Sequence, residues 1–132
     1  MEVSSHPTLI IRRHKFDYSN LSELVTRNML SIDVARFLAA AVRARKNIVI
    51  AGGTGSGKTT LLRALLNEIP YNERIVTIED AFELGIEHFE ASHPDHDALQ
   101  ARAANIEGQG EINMSDLTRM ALRMDPDRVI VG

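Results

Sequence analysis

One stretch, AGGTGSGKTTLL at residues 51–62, constrains this chain more than any other. Glycine loses the most backbone freedom on folding, so the cluster Gly52, Gly53, Gly55 and Gly57 needs a reason. The spacing supplies one. Gly52, Gly57, Lys58 and Thr59 fit G-x-x-x-x-G-K-[ST], a phosphate-binding loop. Residues 47–51 read as a short buried strand before the loop, and 59–69 as a helix after it. Between them the backbone must curl until several N–H groups point at one anion, and the positive end of the helix dipole adds to the attraction. The cradle expected here comprises Gly53, Thr54, Gly55, Ser56, Gly57, Lys58 and Thr59. Lys58 can reach the β- and γ-phosphates of a nucleoside triphosphate, and the Thr59 hydroxyl can take a place on Mg²⁺.

With 132 residues the chain is long enough for one domain with a real core, and it contains no cysteine, which excludes disulfides and thiolate zinc sites. A formal net charge of -3 argues against a protein that coats nucleic acid, which needs a basic surface. No apolar run approaches the ~20 residues of a membrane span, and no signal peptide opens the chain. The expectation is a soluble, cytoplasmic protein.

Thr8, Leu9, Ile10 and Ile11 suggest a strand, followed by the basic run Arg12, Arg13, His14 and Lys15. Residues 21–30 suggest a short helix capped by Asn20 or Ser22. Ser31 caps a longer helix to about Arg45, with Ile32, Ala35, Leu38, Ala39 and Val42 on one face and Arg36 and Arg43 on the other. Pro70, Tyr71 and Asn72 make a turn before a buried strand at 74–78. A weaker strand falls at 98–102, a glycine loop at 107–111, and Ser115 caps a helix whose Leu117, Met120, Ala121 and Met124 share a face. Asp125, Pro126 and Asp127 end it, and 128–131 form a third apolar strand. Apolar strands alternating with helices predict an α/β fold whose parallel sheet carries helices on both faces. Glu79 and Asp80 fall just past the carboxyl end of a strand, the edge where such sheets bind ligands.

The run GGTGSGKTTLLRALL, RIVTIEDAFEL, NIEGQGEI and LRMDPDRVIVG, in that order, resembles the type II/type IV secretion ATPase superfamily, and within it the tight-adherence (Flp) pilus assembly ATPases. The likeness runs from about Pro7 to Gly132. It implies a RecA-like P-loop NTPase domain in a hexameric motor, peripheral to the inner membrane. There it would work with secretion or pilus platform proteins, with no direct nucleic-acid partner expected. ATP and Mg²⁺ are the implied ligands, and ATP hydrolysis would drive pilus assembly or protein export. By position, Thr60 becomes a further phosphate contact, and Lys58, Glu79 and Asp80 become the catalytic set. Glu79 would hold Mg²⁺ through water and help position the attacking water. Arg102, Arg119 and Arg123 are candidates for transition-state charge, reaching a nucleotide across a subunit boundary. Residues 1–19 resemble the hinge from an N-terminal domain, and 20–132 the first part of the ATPase domain. In the family the strand at 128–132 continues into a glutamate. Here the sequence stops at Gly132, and a fragment of a longer protein is expected, with an uncovered strand edge at 129–131.

Other readings stand beside this one. The chain alone would be a nucleotide-binding module with little turnover if its water-orienting groups lie elsewhere. A conjugation motor of the same superfamily and a small-molecule P-loop kinase are the alternatives. His88, His93, Asp95, His96 and Asp97 cluster suggestively, but Pro94 marks a loop and the segment is read as a solvated insert rather than a metal site. The 12–15 run is read as solvated, and Met114, Met120 and Met124 as core packing.

Overall fold

The computed structural model describes His6, Leu9 and residues 20–132; the expected strand at 8–11 and the basic run at 12–15 lie outside the described residues, Leu9 excepted. The element order is α1 (Leu21–Thr26), α2 (Ile32–Arg43), α3 (Lys58–Leu66), β1 (Ile75–Glu79), a 3-10 turn (Ile86–Phe89), β2 (His96–Gln100), α4 (Met114–Ala121) and β3 (Arg128–Val131). The sheet is wholly parallel, in the order β2-β1-β3. Ile75 pairs with His96 on one side and Arg128 on the other.

Every residue of β1 is buried, because the central strand is covered on both faces. Side chains alternate along a strand, so Ile75 joins a core with α1, α2 and α3 through Leu24, Val42, Ala64 and Leu66. Val76 and Ile78 face the other way and pack on Leu117 and Ala121 of α4. Helices thus cover both faces, as the alternation of elements predicts.

Local chemistry explains the helix starts. The Asn20 side chain accepts from the Glu23 N–H at 2.8 Å, which settles the first cap on Asn20 and not Ser22. Ser31 accepts from the Val34 N–H and opens α2. The last cap is two residues earlier than expected. Asn113, not Ser115, forms a reciprocal capping box with Asp116. At the end of α2, Arg45 adopts φ 54° and Lys46 donates back to the Ala41 carbonyl, closing the helix.

Three expectations are corrected. Residues 47–51 make no ladder, and Val49 is 91% exposed, so the buried strand before the loop is not present. A strand needs a partner, and a cleft of about 460 Å³ separates this segment from β3. The segment read as a solvated insert is partly core: His93 is buried, and His96 and Asp97 begin β2. Ile32 and Met120 were placed on apolar faces, but each is 50% exposed. Ile32 is the first residue of α2 and Met120 the last but one of α4, so each sits at an end of its helix.

Ionic contacts gather the amino ends of all three strands. Glu73, buried just before β1, accepts from Arg128 at 2.5 Å and from Arg45 at 3.1 and 3.2 Å. Arg45 also reaches Asp127 at 3.0 Å, and Asp127 accepts from the Arg74 N–H at 2.9 Å. Arg74 in turn bonds to Asp95, and to Asp97 at 2.6 Å. The Arg128 hydrogen bond, helped by Arg45, holds the Glu73 carboxyl below its ordinary range against the opposing effect of burial.

A depressed folded value stabilises the fold above the unfolded glutamate pKa, and the benefit is lost as pH falls through the folded one. Replacing Glu73 by Gln leaves Arg128 buried beside a neutral group. Glu73→Gln is therefore expected to lower stability by about 3 kcal/mol at pH 7, with the gap closing below about pH 4. Denaturant titrations of both proteins across pH 3–7 check this, and a pH-independent gap would contradict it.

Candidate functional site

The loop that the sequence singles out is built as its spacing requires at two glycines. A Cβ on Gly52 would sit 2.6 Å from the Ser56 Oγ, so the Ser56 side chain would have to turn away to make room. Gly57 caps α3 at φ 90°, and a Cβ there would meet the Met29 Cε at 3.0 Å. Gly53 differs: nothing lies within 4 Å of where its Cβ would be, so that side of the loop is open. Glycine provides no side-chain cap for α3, which leaves first-turn N–H groups for an anion.

Lys58 is the first residue of α3, and its Nζ folds back to donate to the carbonyls of Gly52 at 2.9 Å and Gly53 at 2.8 Å. The ammonium is thus held over the loop. Thr59 and Thr60 follow in the first turn, both half-buried, while Thr54, Gly55 and Ser56 are exposed. Lys58 and Thr59 line the 460 Å³ cleft together with Glu79, Glu83, Leu84 and Gly132. One cavity therefore unites the end of the glycine loop with the end of β1.

Glu79 is the last residue of β1, and it is 1% exposed. A buried carboxylate must find its hydrogen bonds inside the protein. Its Oε2 accepts from the Glu83 N–H at 2.7 Å and the Leu84 N–H at 2.8 Å, and its Oε1 accepts a longer bond from the Thr77 hydroxyl at 3.3 Å. Asp80 is exposed, and its carbonyl accepts from Gln100 at 3.3 Å. The two carboxylates are neighbours in sequence with different environments.

The candidate arginines are all exposed and do not line the cleft. Arg102 donates to the Gly110 carbonyl at 2.9 Å and pairs with Ile112, pinning the glycine loop at 107–111. Arg119 lies 3.6 Å from Asp116 on α4, and Arg123 follows in the turn after α4. Among the described residues, no group of three or more His, Asp or Glu side chains converges as a metal site would require. Within the 88–97 segment, Asp95 and Asp97 turn to Arg74 instead, and burial holds the His93 imidazole below the ordinary histidine range.

Sequence reasoning missed Arg63. It donates from Nε to the Leu84 carbonyl at 3.2 Å, and from Nη2 to the Glu83 carbonyl. The available signal was a lone cation inside LLRALL, where the helix otherwise turns leucines towards the sheet.

A family model described as type II/IV secretion system protein matches residues 1–132, and the chain belongs to that family. A Mycobacterium tuberculosis protein assigned provisionally to conjugal transfer is 44% identical over 113 residues, 86% of this chain and 31% of the relative. The type IV secretion system protein VirB11 of Brucella suis is 43% identical over 101 residues, 76% of this chain and 27% of the relative. The crystal structure of the VirB11 ATPase from the Brucella suis type IV secretion system, in complex with sulphate, matches with a TM-score of 0.63 and 38% identity. That match covers 85% of this chain and 29% of the crystallised one. The chain thus spans less than a third of the length of these relatives.

The two kinds of glycine predict different outcomes. Gly57→Ala, strained by its positive φ and by Met29, is expected to destabilise the fold by about 1–2 kcal/mol. Gly53→Ala, facing open space, should stay within about 0.5 kcal/mol of wild type. Thermal unfolding of both variants checks the contrast, and equal losses would show that the loop is not held as described.

Proposed function

We propose that this member of the type II/IV secretion system protein family is part of a motor: a RecA-like P-loop ATPase domain that binds ATP with Mg²⁺ and uses its hydrolysis to drive transport across a membrane. The carrying observation is the shared cleft, lined by Lys58 and Thr59 on one side and Glu79 on the other. Its residues suit the ligands. The loop is open at Gly53, the first turn of α3 offers N–H donors, and Lys58 offers a cation. The Thr59 hydroxyl is a hard oxygen donor of the kind Mg²⁺ prefers, and the Glu79 carboxylate would hold the ion through water.

Each residue then has a task. Gly53, Thr54, Gly55, Ser56, Gly57 and Thr60 wrap the phosphates with backbone and hydroxyl groups. Lys58 exchanges its bonds to the Gly52 and Gly53 carbonyls for phosphate oxygens, which lets one side chain answer to occupancy of the loop. Mg²⁺, when bound, neutralises charge on the β- and γ-phosphates. Glu79 has its Oε2 committed to two N–H groups, while its Oε1 accepts only the longer Thr77 bond. That oxygen is the one that would accept a hydrogen bond from a water in the cleft. Asp80 adds a second carboxylate beside it. Arg102, Arg119 and Arg123 lie on the exposed surface, where a neighbouring copy in a hexamer would meet them.

The wider setting follows the family. Among the described residues no helix is long and apolar enough to cross a membrane, which suits a cytoplasmic motor docked on inner-membrane platform proteins. The finer assignment to tight-adherence pilus assembly rests on the run of motifs in this sequence. A conjugation motor is the second reading, and the mycobacterial relative favours it. A nucleotide-binding module without useful turnover is the limiting case if the neighbouring copy's groups are essential.

Lys58→Ala should weaken ATP-Mg²⁺ binding at least ~10-fold, about 1.4 kcal/mol, by calorimetric titration. In the assembled motor, Glu79→Gln should leave that affinity nearly unchanged and lower turnover by ~10²-fold, because the carboxylate that acts on the water is lost and the phosphate cradle is not. Equal ATP affinity in wild type and Lys58→Ala would end the phosphate-loop reading.

A further inference from the structure

We propose that Arg63 is a positioning residue for Glu79, acting through residues Glu83 and Leu84. This rests on the reading of Glu79 as the group that orients the attacking water. Glu83 and Leu84 present both of their N–H groups to the Glu79 Oε2, at 2.7 and 2.8 Å. They present both of their carbonyls to Arg63, Leu84 to Nε at 3.2 Å and Glu83 to Nη2. The same short backbone segment is gripped from opposite sides by a carboxylate and a guanidinium. Each grip orders the segment for the other.

The geometry reaches back to the glycine loop. Arg63 and Lys58 ride on one helix, α3, so the backbone that fixes the phosphate-binding lysine also fixes the arginine. Leu84 is buried, and together with Glu79 it packs against Gly132 at the end of β3: a Cβ there would lie 3.3 Å from the Leu84 Cδ1 and 3.5 Å from the Glu79 Cγ. Gly85 follows at φ 64° and turns the chain into the 3-10 helix. The segment therefore has little room to shift while Arg63 holds it. Freed on its carbonyl side, it can rotate and carry away the two N–H donors that set the carboxylate's direction.

The two donors of Arg63 are fixed in a planar fork, which a lysine ammonium cannot reproduce on two adjacent carbonyls. Charge alone should not substitute. The phosphate cradle has its own support, including the Leu61 N–H to Gly57 carbonyl bond at 2.9 Å, so nucleotide affinity should not depend on Arg63.

The test is steady-state ATP hydrolysis and ATP-Mg²⁺ affinity in the assembled motor, for wild type, Arg63→Lys, Arg63→Gln, Glu79→Gln and the Arg63→Gln/Glu79→Gln pair. Arg63→Lys and Arg63→Gln are expected to lower kcat at least ~10-fold while KM and Kd stay within ~3-fold. The double variant should be no slower than Glu79→Gln alone, because both act on one carboxylate. A merely structural arginine would instead lower Tm, leave kcat intact well below Tm, and add independently to Glu79→Gln. Either Arg63 variant at wild-type turnover, beside a slow Glu79→Gln, overturns this inference and spares the wider reading. Wild-type turnover in Glu79→Gln overturns the reading on which it rests. Should Arg63→Gln fail to fold, Arg63→Lys keeps the stem and the charge and carries the test.

Discussion

A carboxylate almost wholly buried in the fold needs donors from the chain around it, and Glu79 is such a group. It ends the central strand, so its position is set by ladders to β2 and β3 on either side. Its donors come from the segment that leaves that strand, and that segment is tied to α3. Sheet, connecting loop and phosphate-loop helix thus meet at one side chain. The position of β1 between two parallel neighbours makes this possible, because only a central strand can bury its last residue while still opening on a cleft.

The opposite end of the sheet is organised by charge. Glu73, Arg74, Asp127 and Arg128 lie at the entries of β1 and β3, and Arg45 joins them from the end of α2. These contacts hold the three strands in register at their amino ends, and Arg45, Asp127 and Arg128 also line the far end of the cleft, which runs along β3 to Glu79 and Gly132. In a parallel sheet all strand C-termini lie at one edge, and Lys58, Thr59 and Glu79 meet at that end of the cleft. Arg128 and Glu73 are both largely buried, which makes each depend on the other.

Much of this was legible in the sequence where local chemistry decides. The glycine spacing located the loop that opens α3, Ser31 located α2, and the order of apolar runs located all three strands of the sheet to within two residues. Reading failed where a distant partner decides. Residues 47–51 have the composition of a strand, but pairing is a tertiary event and this segment faces a cleft. His93 looks like a polar loop residue and is buried by the fold of the 80–95 connection, which no periodicity announces. Asp95 and Asp97 read as part of a solvated insert, yet Arg74, some twenty residues earlier, takes both. Arg63 stood out only as a lone cation in LLRALL, and its partners could not be read, because they are backbone carbonyls.

The central claim is that the glycine loop and the end of β1 form one nucleotide site. Amide chemical-shift mapping of the isotope-labelled chain, titrated with ATP-Mg²⁺, tests it most directly. The account predicts the largest shifts at the amides of 53–60, with a second, connected set at Glu83 and Leu84, whose N–H groups rest on Glu79. Shifts confined to 53–60, with Glu83 and Leu84 unmoved, would separate the loop from the carboxylate. Shifts that avoid 53–60 altogether would contradict the site itself.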